Sequence, residues 1–398
     1  MSQFNEKMHS TIHALKESGT YKKAKHLAQP MAAHAKIVEA GSDVMILSSN
    51  NYLGLANHKD VVQAGHEALD KYGLGTASVR FICGTMSIHE ELENKIAGFH
   101  STEAALTYSS CWAANTGLFA VICKPDDVLI SDALNHASII DGCRLVNKKV
   151  VREVYPHSDM AVLEGLLKGH QNAPNRFVVT DGVFSMEGDI ANLPEITALC
   201  KKYDAVLIVD DSHGVGVMGK NGRGTAEHFG VEADIDIYTG TLGKALGGAA
   251  GGYVAGKKDV IDMLFQTSRP QIFSNGISPV TAAGAMKAIE LVTAERVVSL
   301  HEKVAYFRKG LKDIGLNVVE GESAILPVIL GGTAFAIKMS DTLLKEGVFV
   351  TGFGFPVVPE GTARIRIQVS DALSYEDIDA AFVALKKVGD DLGIIDRA

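Results

Sequence analysis

Ala205-Val206-Leu207-Ile208-Val209-Asp210-Asp211-Ser212-His213 sets five apolar residues in a row ahead of two carboxylates, a hydroxyl and an imidazole. Unbroken apolarity over so short a run marks a strand covered on both faces, because a strand with one wet face alternates. The pattern recurs at residues 104–108, 127–130, 176–180, 235–238 and 252–255, each run ending in polar or glycine-rich residues and separated from the next by segments of helical period. This alternation predicts an α/β domain with a mostly parallel central sheet.

Working outward, residues 1–45 read as a helical arm followed by a short extended segment, and 46–285 as the large α/β domain. Residues 286–398 read as a smaller C-terminal α+β domain, closed by an amphipathic helix that places Ile378, Ala381, Phe382, Leu385 and Val388 on one side. The 398 residues are enough for two or three domains. With 46% hydrophobic and 21% charged residues, wholesale disorder and coiled-coil composition are excluded. A formal charge of −9 argues against a broad basic surface, so neither nucleic acid nor an anionic membrane is expected as partner. No apolar run approaches the roughly 18–20 residues of a membrane span, and the opening is polar, so the expected compartment is the cytoplasm. The five cysteines are odd in number and irregularly spaced, which fits neither a disulfide framework nor a zinc site, and no metal is expected.

In open α/β sheets ligands bind beyond the carboxyl ends of the strands. After 104–108 comes Ser109-Ser110-Cys111-Trp112 and a helical pattern; on its own this segment favours an ordinary Ser N-cap over the alternative, a seat for a phosphate on free N–H groups. His136 follows the run at 127–130, where a lone histidine is commonly structural. Asp210 and Asp211 end another; a turn or helix cap accounts for one of them, and a buried carboxylate calls for a cationic partner. Thr241-Leu242-Gly243-Lys244 lies in a glycine-rich loop, and a desolvated Lys is a nucleophile toward carbonyls. A P-loop is excluded, since Ala245 follows Gly243-Lys244 and Tyr238 stands where Gly is required. Gly214–Gly219 matches GxGxxG by letter, but the turn-like residues after it open no helix. An acid after one strand, a Lys after the next and a phosphate seat together suit pyridoxal 5'-phosphate, PLP.

These residues, with Asn50-Asn51-Tyr52-Leu53-Gly54-Leu55, Ala77–Thr85 and Asn135-His136-Ala137-Ser138-Ile139, resemble the α-oxoamine synthases over nearly the whole chain. These are PLP enzymes of fold type I that join an amino acid to an acyl-CoA. The resemblance is strongest to members that condense glycine with acetyl-CoA to 2-amino-3-ketobutyrate and CoA. It implies that Lys244 carries the cofactor as a Schiff base, Asp210 pairs with the pyridine nitrogen and His136 stacks on the ring. Ser185 and His213 would bond near the phenolic oxygen, while Ser110, the Cys111 and Trp112 amides and the Thr241 hydroxyl hold the phosphate. Arg366 would take the substrate carboxylate, with Asn50, His136 and Ser185 lining the amino-acid pocket. Ser274 and Asn275 match positions contributed across a homodimer interface to the partner's site. Trp112, Gly214 and the run Ala113-Ala114-Asn115-Thr116-Gly117 depart from the usual residues, which bears on the acyl pocket.

Three other readings stand beside this one. One is a related synthase taking another amino acid or acyl-CoA, such as one making 8-amino-7-oxononanoate. Another is a cofactor-free acyltransferase with Cys111 as a thiolate at a helix start, where thiol pKa values fall. The third is a non-catalytic partner subunit; such chains lose the Schiff-base Lys, and Lys244 is present.

Overall fold

A computed structural model describes residues 2–21, 23–355 and 357–395. The chain forms two compact units, one of residues 1–49, 186–188 and 302–398, the other of 50–185 and 189–301. Among the described residues no helix is long and apolar enough to cross a membrane.

The first unit opens with the helix Gln3–Glu17, then β1 (His34–Ile37) and β2 (Ser42–Ile46), which pair antiparallel. The second unit holds seven strands: β3 (Ala104–Tyr108), β4 (Val128–Asp132), β5 (Val151–Tyr155), β6 (Arg176–Asp181), β7 (Val206–Asp210), β8 (Ile237–Thr241) and β9 (Gly252–Gly256). They form one sheet in the order β3-β9-β8-β7-β6-β4-β5. Every pairing from β8 through to β5 is parallel, and only β9 runs antiparallel to its neighbours β8 and β3. This is the mostly parallel sheet expected. The chain then adds β10 (Ile325–Gly331), β11 (Val348–Phe349), β12 (Thr351–Phe353) and β13 (Ala363–Gln368) to the first unit. There β2 pairs parallel with β11, so the expected arm 1–45 is built into the same unit as the C-terminal residues.

The unbroken apolar runs have a direct physical cause. In β7, Leu207 and Val209 enter one hydrophobic core and Ile208 the other, on opposite faces of the sheet; both faces are dry, so no position is left for a polar residue until the strand ends. One strand escapes this logic. β5 is an edge strand with four of its five positions wholly or partly exposed, Val-Arg-Glu-Val-Tyr, and has no apolar run to mark it. Two helices, Pro279–Leu291 and Ala294–Asp313, follow the last strand of the large sheet. The closing helix Tyr375–Asp391 buries Ile378, Ala381, Leu385 and Val388 as its spacing requires.

A buried ion pair ties the segment 77–85 to the sheet. Arg80 Nη1 and Nη2 donate to Glu93 Oε1 and Oε2 at 2.9 and 3.1 Å, and Oε1 also accepts the Thr107 N–H and hydroxyl at 2.9 and 2.8 Å. The two side chains are 3% and 12% exposed, so removing one charge strands the other in a poorly solvated place. Glu93→Gln is therefore expected to cost about 3 kcal/mol or more, read as a lowered urea midpoint; an unchanged midpoint would show the pair to be idle.

Candidate active site

Three parallel strands end in a buried aspartate: Asp132 on β4, Asp181 on β6 and Asp210 on β7, each at most 5% exposed. β8 ends beside them in Thr241, and Lys244 follows in the loop, half-buried. Ser110, Cys111, Trp112, His136, Ser185, Asp210, His213, Thr241 and Lys244 all line one cavity of about 230 Å³ in the second unit. The expected set is thus largely brought together. Ser138, Asp181 and Ser212 line it as well. Asp181 follows the apolar run 176–180, so the strand-end rule that picks out Asp210 reaches it too.

The helix Cys111–Ile122 aims its first turn at this cavity. Ser110 Oγ accepts the Ala113 N–H at 3.1 Å, and the first helical bond runs from Ala114 N to Ser110 O, so the N–H groups of Cys111 and Trp112 lie ahead of the helical ladder. The N-cap reading and the anion-seat reading of this segment are therefore compatible. The helix start packs so tightly on β9 that a Cβ at Gly252 would lie 2.2 Å from Cys111 N. Thr241 closes the cradle: its hydroxyl donates to Gly251 O at 3.2 Å and accepts Gly243 N at 3.1 Å.

Asp210 is held by donors on both oxygens. Asn115 Nδ2 reaches Oδ2 at 2.6 Å, Cys111 Sγ stands 3.4 Å from the same oxygen, and Ser212 N donates to Oδ1 at 3.0 Å. Asp181 is its cross-strand partner in register. Burial first, and then the Asp210 charge, push the Asp181 carboxyl well above the usual range, while the His136 N–H at 2.6 Å opposes this. Burial also lowers the pKa of His136. Its Nδ1 accepts from Ser138 N at 3.2 Å, so the neutral ring carries its proton on Nε2. The Trp112 ring meets it edge-on with centroids 6.2 Å apart. His213 Nδ1 lies 2.8 Å from the Tyr52 hydroxyl, which is also 3.4 Å from Asn50 Oδ1.

Cys111 does not have the environment of a thiolate nucleophile. Burial, and next the Asp210 charge, push its thiol well above the usual value, which outweighs the helix start. Asn50, Ser274, Asn275 and Arg366 are not among the residues lining the cavity. Ser274 is half-buried; Asn275 is exposed and forms a backbone bridge with Val79. Arg366 lies in the other unit, buried on β13, with its guanidinium 4.8 Å from the Phe353 ring.

Asp211 has the structural task. It accepts the Thr225 N–H at 2.7 Å and the Thr225 hydroxyl at 3.0 Å, at the start of the helix Thr225–Phe229. A Cβ at Gly214 would fall 1.9 Å from its Oδ1, which is why Gly stands there. The letters of GxGxxG at 214–219 form turns and open no helix.

The family "Aminotransferase class I and II" matches residues 42–385. The 2-amino-3-ketobutyrate coenzyme A ligase of Escherichia coli K12 is 46% identical over 397 residues, covering 99% of each chain. The 8-amino-7-oxononanoate synthase of Thermoanaerobacter pseudethanolicus is also 46% identical, over 96% of this chain and 97% of its own. A solved structure of SPT with PLP superposes with a TM-score of 0.93 at 32% identity, covering 99% of this chain and 100% of the other.

Asp211 gives a pH signature with a definite sign. Burial raises its carboxyl to about 7, against the pull of the two Thr225 bonds. The native state thus holds this proton to higher pH than the unfolded chain, which releases it near 4, so stability falls as pH rises from about 4 to about 7. Asp211→Asn should flatten that part of the profile of urea midpoint against pH; a slope equal to the parent's would refute the assignment.

Proposed function

The chain belongs to the class I and II aminotransferase family and, within it, to the α-oxoamine synthases, and from that premise we propose that it condenses glycine with acetyl-CoA to give 2-amino-3-ketobutyrate and CoA. The observation that carries this reading is the meeting of buried Asp210, Lys244 and the start of the helix Cys111–Ile122 around one cavity, in a chain 46% identical end to end to a 2-amino-3-ketobutyrate coenzyme A ligase.

The family is PLP-dependent, and the donor set suits that cofactor: an amine for its aldehyde, a carboxylate for its ring nitrogen and a helix start for its phosphate. The cradle left by Gly252 supports the last of these, since any side chain there would fill the space against Cys111 N. On this reading the Cys111 and Trp112 N–H groups with the Thr241 hydroxyl hold the phosphate, and Asp210 keeps a proton on the ring nitrogen. His136, neutral, would lie against the ring, and Ser185 and His213 would bond near its phenolic oxygen. PLP, when bound, supplies an electron-withdrawing ring that acidifies the amino-acid α-carbon.

The protein's own groups do the rest. Arg366 takes the glycine carboxylate with its planar fork, and Asn50 lines the amino-acid pocket. Lys244 Nζ, set free when the glycine amine takes its place on the cofactor aldehyde, would then remove the α-proton as general base. The α-carbon then bonds to the thioester carbon of acetyl-CoA, the C–S bond breaks, and CoA departs. We further propose a cytoplasmic homodimer in which Ser274 and Asn275 of one chain serve the partner's site. The Thermoanaerobacter relative, as similar as the Escherichia coli one, supports a second reading, in which another amino acid or a longer acyl-CoA is used. Steady-state rates for paired amino acids and acyl-CoAs decide between the two; glycine with acetyl-CoA should give the highest kcat/KM.

Lys244→Ala should lower turnover about a thousandfold or more and remove the visible absorbance that covalently held PLP gives the parent; full activity in that variant would end the proposal. Cys111→Ser should retain activity within about threefold, because its backbone N–H is unchanged, a hydroxyl can donate to Asp210 Oδ2 as the thiol does, and the thiol is not ionised. Loss of all turnover in that variant would instead support the thiolate mechanism.

A further inference from the structure

His157 stands outside the cavity, between two loops that each carry a candidate site residue. It lies two residues beyond β5, with Nδ1 3.0 Å from Asp132 Oδ1 and Nε2 2.7 Å from Asp189 Oδ2. Ionised carboxylates only accept hydrogen bonds, so a ring engaged this way at both nitrogens donates from both and is an imidazolium. Burial pulls its pKa down, but the hydrogen bonds and charges of Asp132 and Asp189 together outweigh that and raise it to about 10.

Each aspartate organises its own loop, Asp132 through its carboxylate and Asp189 through its main-chain carbonyl. Asp132 also accepts Leu134 N at 2.8 Å and Ser158 N at 3.0 Å, which shapes the turn from the end of β4 into Asn135-His136. Asp189 O accepts Phe184 N at 3.0 Å, and Ala191 N donates to Gly182 O at 2.9 Å, closing the segment that carries Ser185. The Phe184 ring, almost fully buried, meets the His157 ring edge-on with centroids 4.4 Å apart. Asp132 is nearly sealed from water and His157 is only 23% exposed, so one arm of the clamp is poorly screened.

We propose that His157 is a positioning residue: it bridges Asp132 and Asp189 and thereby holds His136 and Ser185 in fixed places about the cavity. The inference rests on the preceding reading for what His136 and Ser185 do. A histidine that only filled space would tolerate loss of charge. One that clamps cannot, because a neutral side chain satisfies at most one carboxylate strongly.

The test compares the full-length parent with His157→Gln, Asp189→Asn and the double variant, by hydrogen exchange and by steady-state kinetics with glycine and acetyl-CoA. Amides at 132–138 and at both 183–185 and 189–191 should exchange about tenfold faster or more in each single variant, with protection in the core strands unchanged. kcat should fall about tenfold with KM little altered, and the double variant should be no worse than the worse single one. Exchange unchanged at either loop, faster exchange with kcat intact, or losses that multiply would each overturn the clamp. Should His157→Gln fail to fold, Asp189→Asn cuts the same bridge at its more exposed end. A parent without turnover would sink the functional reading, leaving exchange to decide the bridge.

Discussion

Asp181 and Asp210 end neighbouring parallel strands in register, both buried, about the 4.8 Å of one strand spacing apart. Two ionised carboxylates that close, in a place water hardly reaches, repel strongly unless one gives up its charge or a cation arrives. The molecule resolves this asymmetrically. Asp210 receives three donors, while Asp181 has one backbone N–H and is driven toward its neutral form. Half-buried Lys244 at the end of the adjacent strand supplies positive charge to the same cavity. Fold and chemistry meet in this arrangement, because parallel strands that are apolar on both faces deliver all their polar groups to one edge.

The packing around that edge serves the same end. The helix Cys111–Ile122 supplies two different things to the cavity, N–H groups from its first turn and the Asn115 amide from its second, and the latter spans Asp210 and Ser138. A single rigid element therefore fixes the distance between the anion seat and the carboxylate. Its closeness to β9 depends on the absence of a side chain at Gly252, and the turn behind Asp211 depends likewise on Gly214. Neither glycine touches a reacting group. Both govern where the reacting groups stand.

Much of this was legible in the chain because the physical cause was local. A strand buried on two faces has to be apolar throughout, and whatever polar residue follows is exposed to the ligand edge, so Asp210 and Lys244 could be read directly. β5 could not, since an edge strand with solvent on it carries Arg152 and Glu153 where the inner strands carry Ile and Val. Asn115 was hidden for a different reason: a polar residue inside a helix declares no partner until the helix is docked on the sheet. Arg366, Ser274 and Asn275 came from resemblance alone. An Arg within an apolar strand and a Ser-Asn pair in a loop carry no local signal of a ligand.

The edge-on contact between Trp112 and His136 has a practical consequence, because Trp112 is the only tryptophan in the chain. All indole emission from this protein originates at the rim of its cavity. Occupancy of the site can therefore be followed optically in the unlabelled molecule, with no other indole to dilute the signal, and the shift of that emission reports the polarity of the cavity itself.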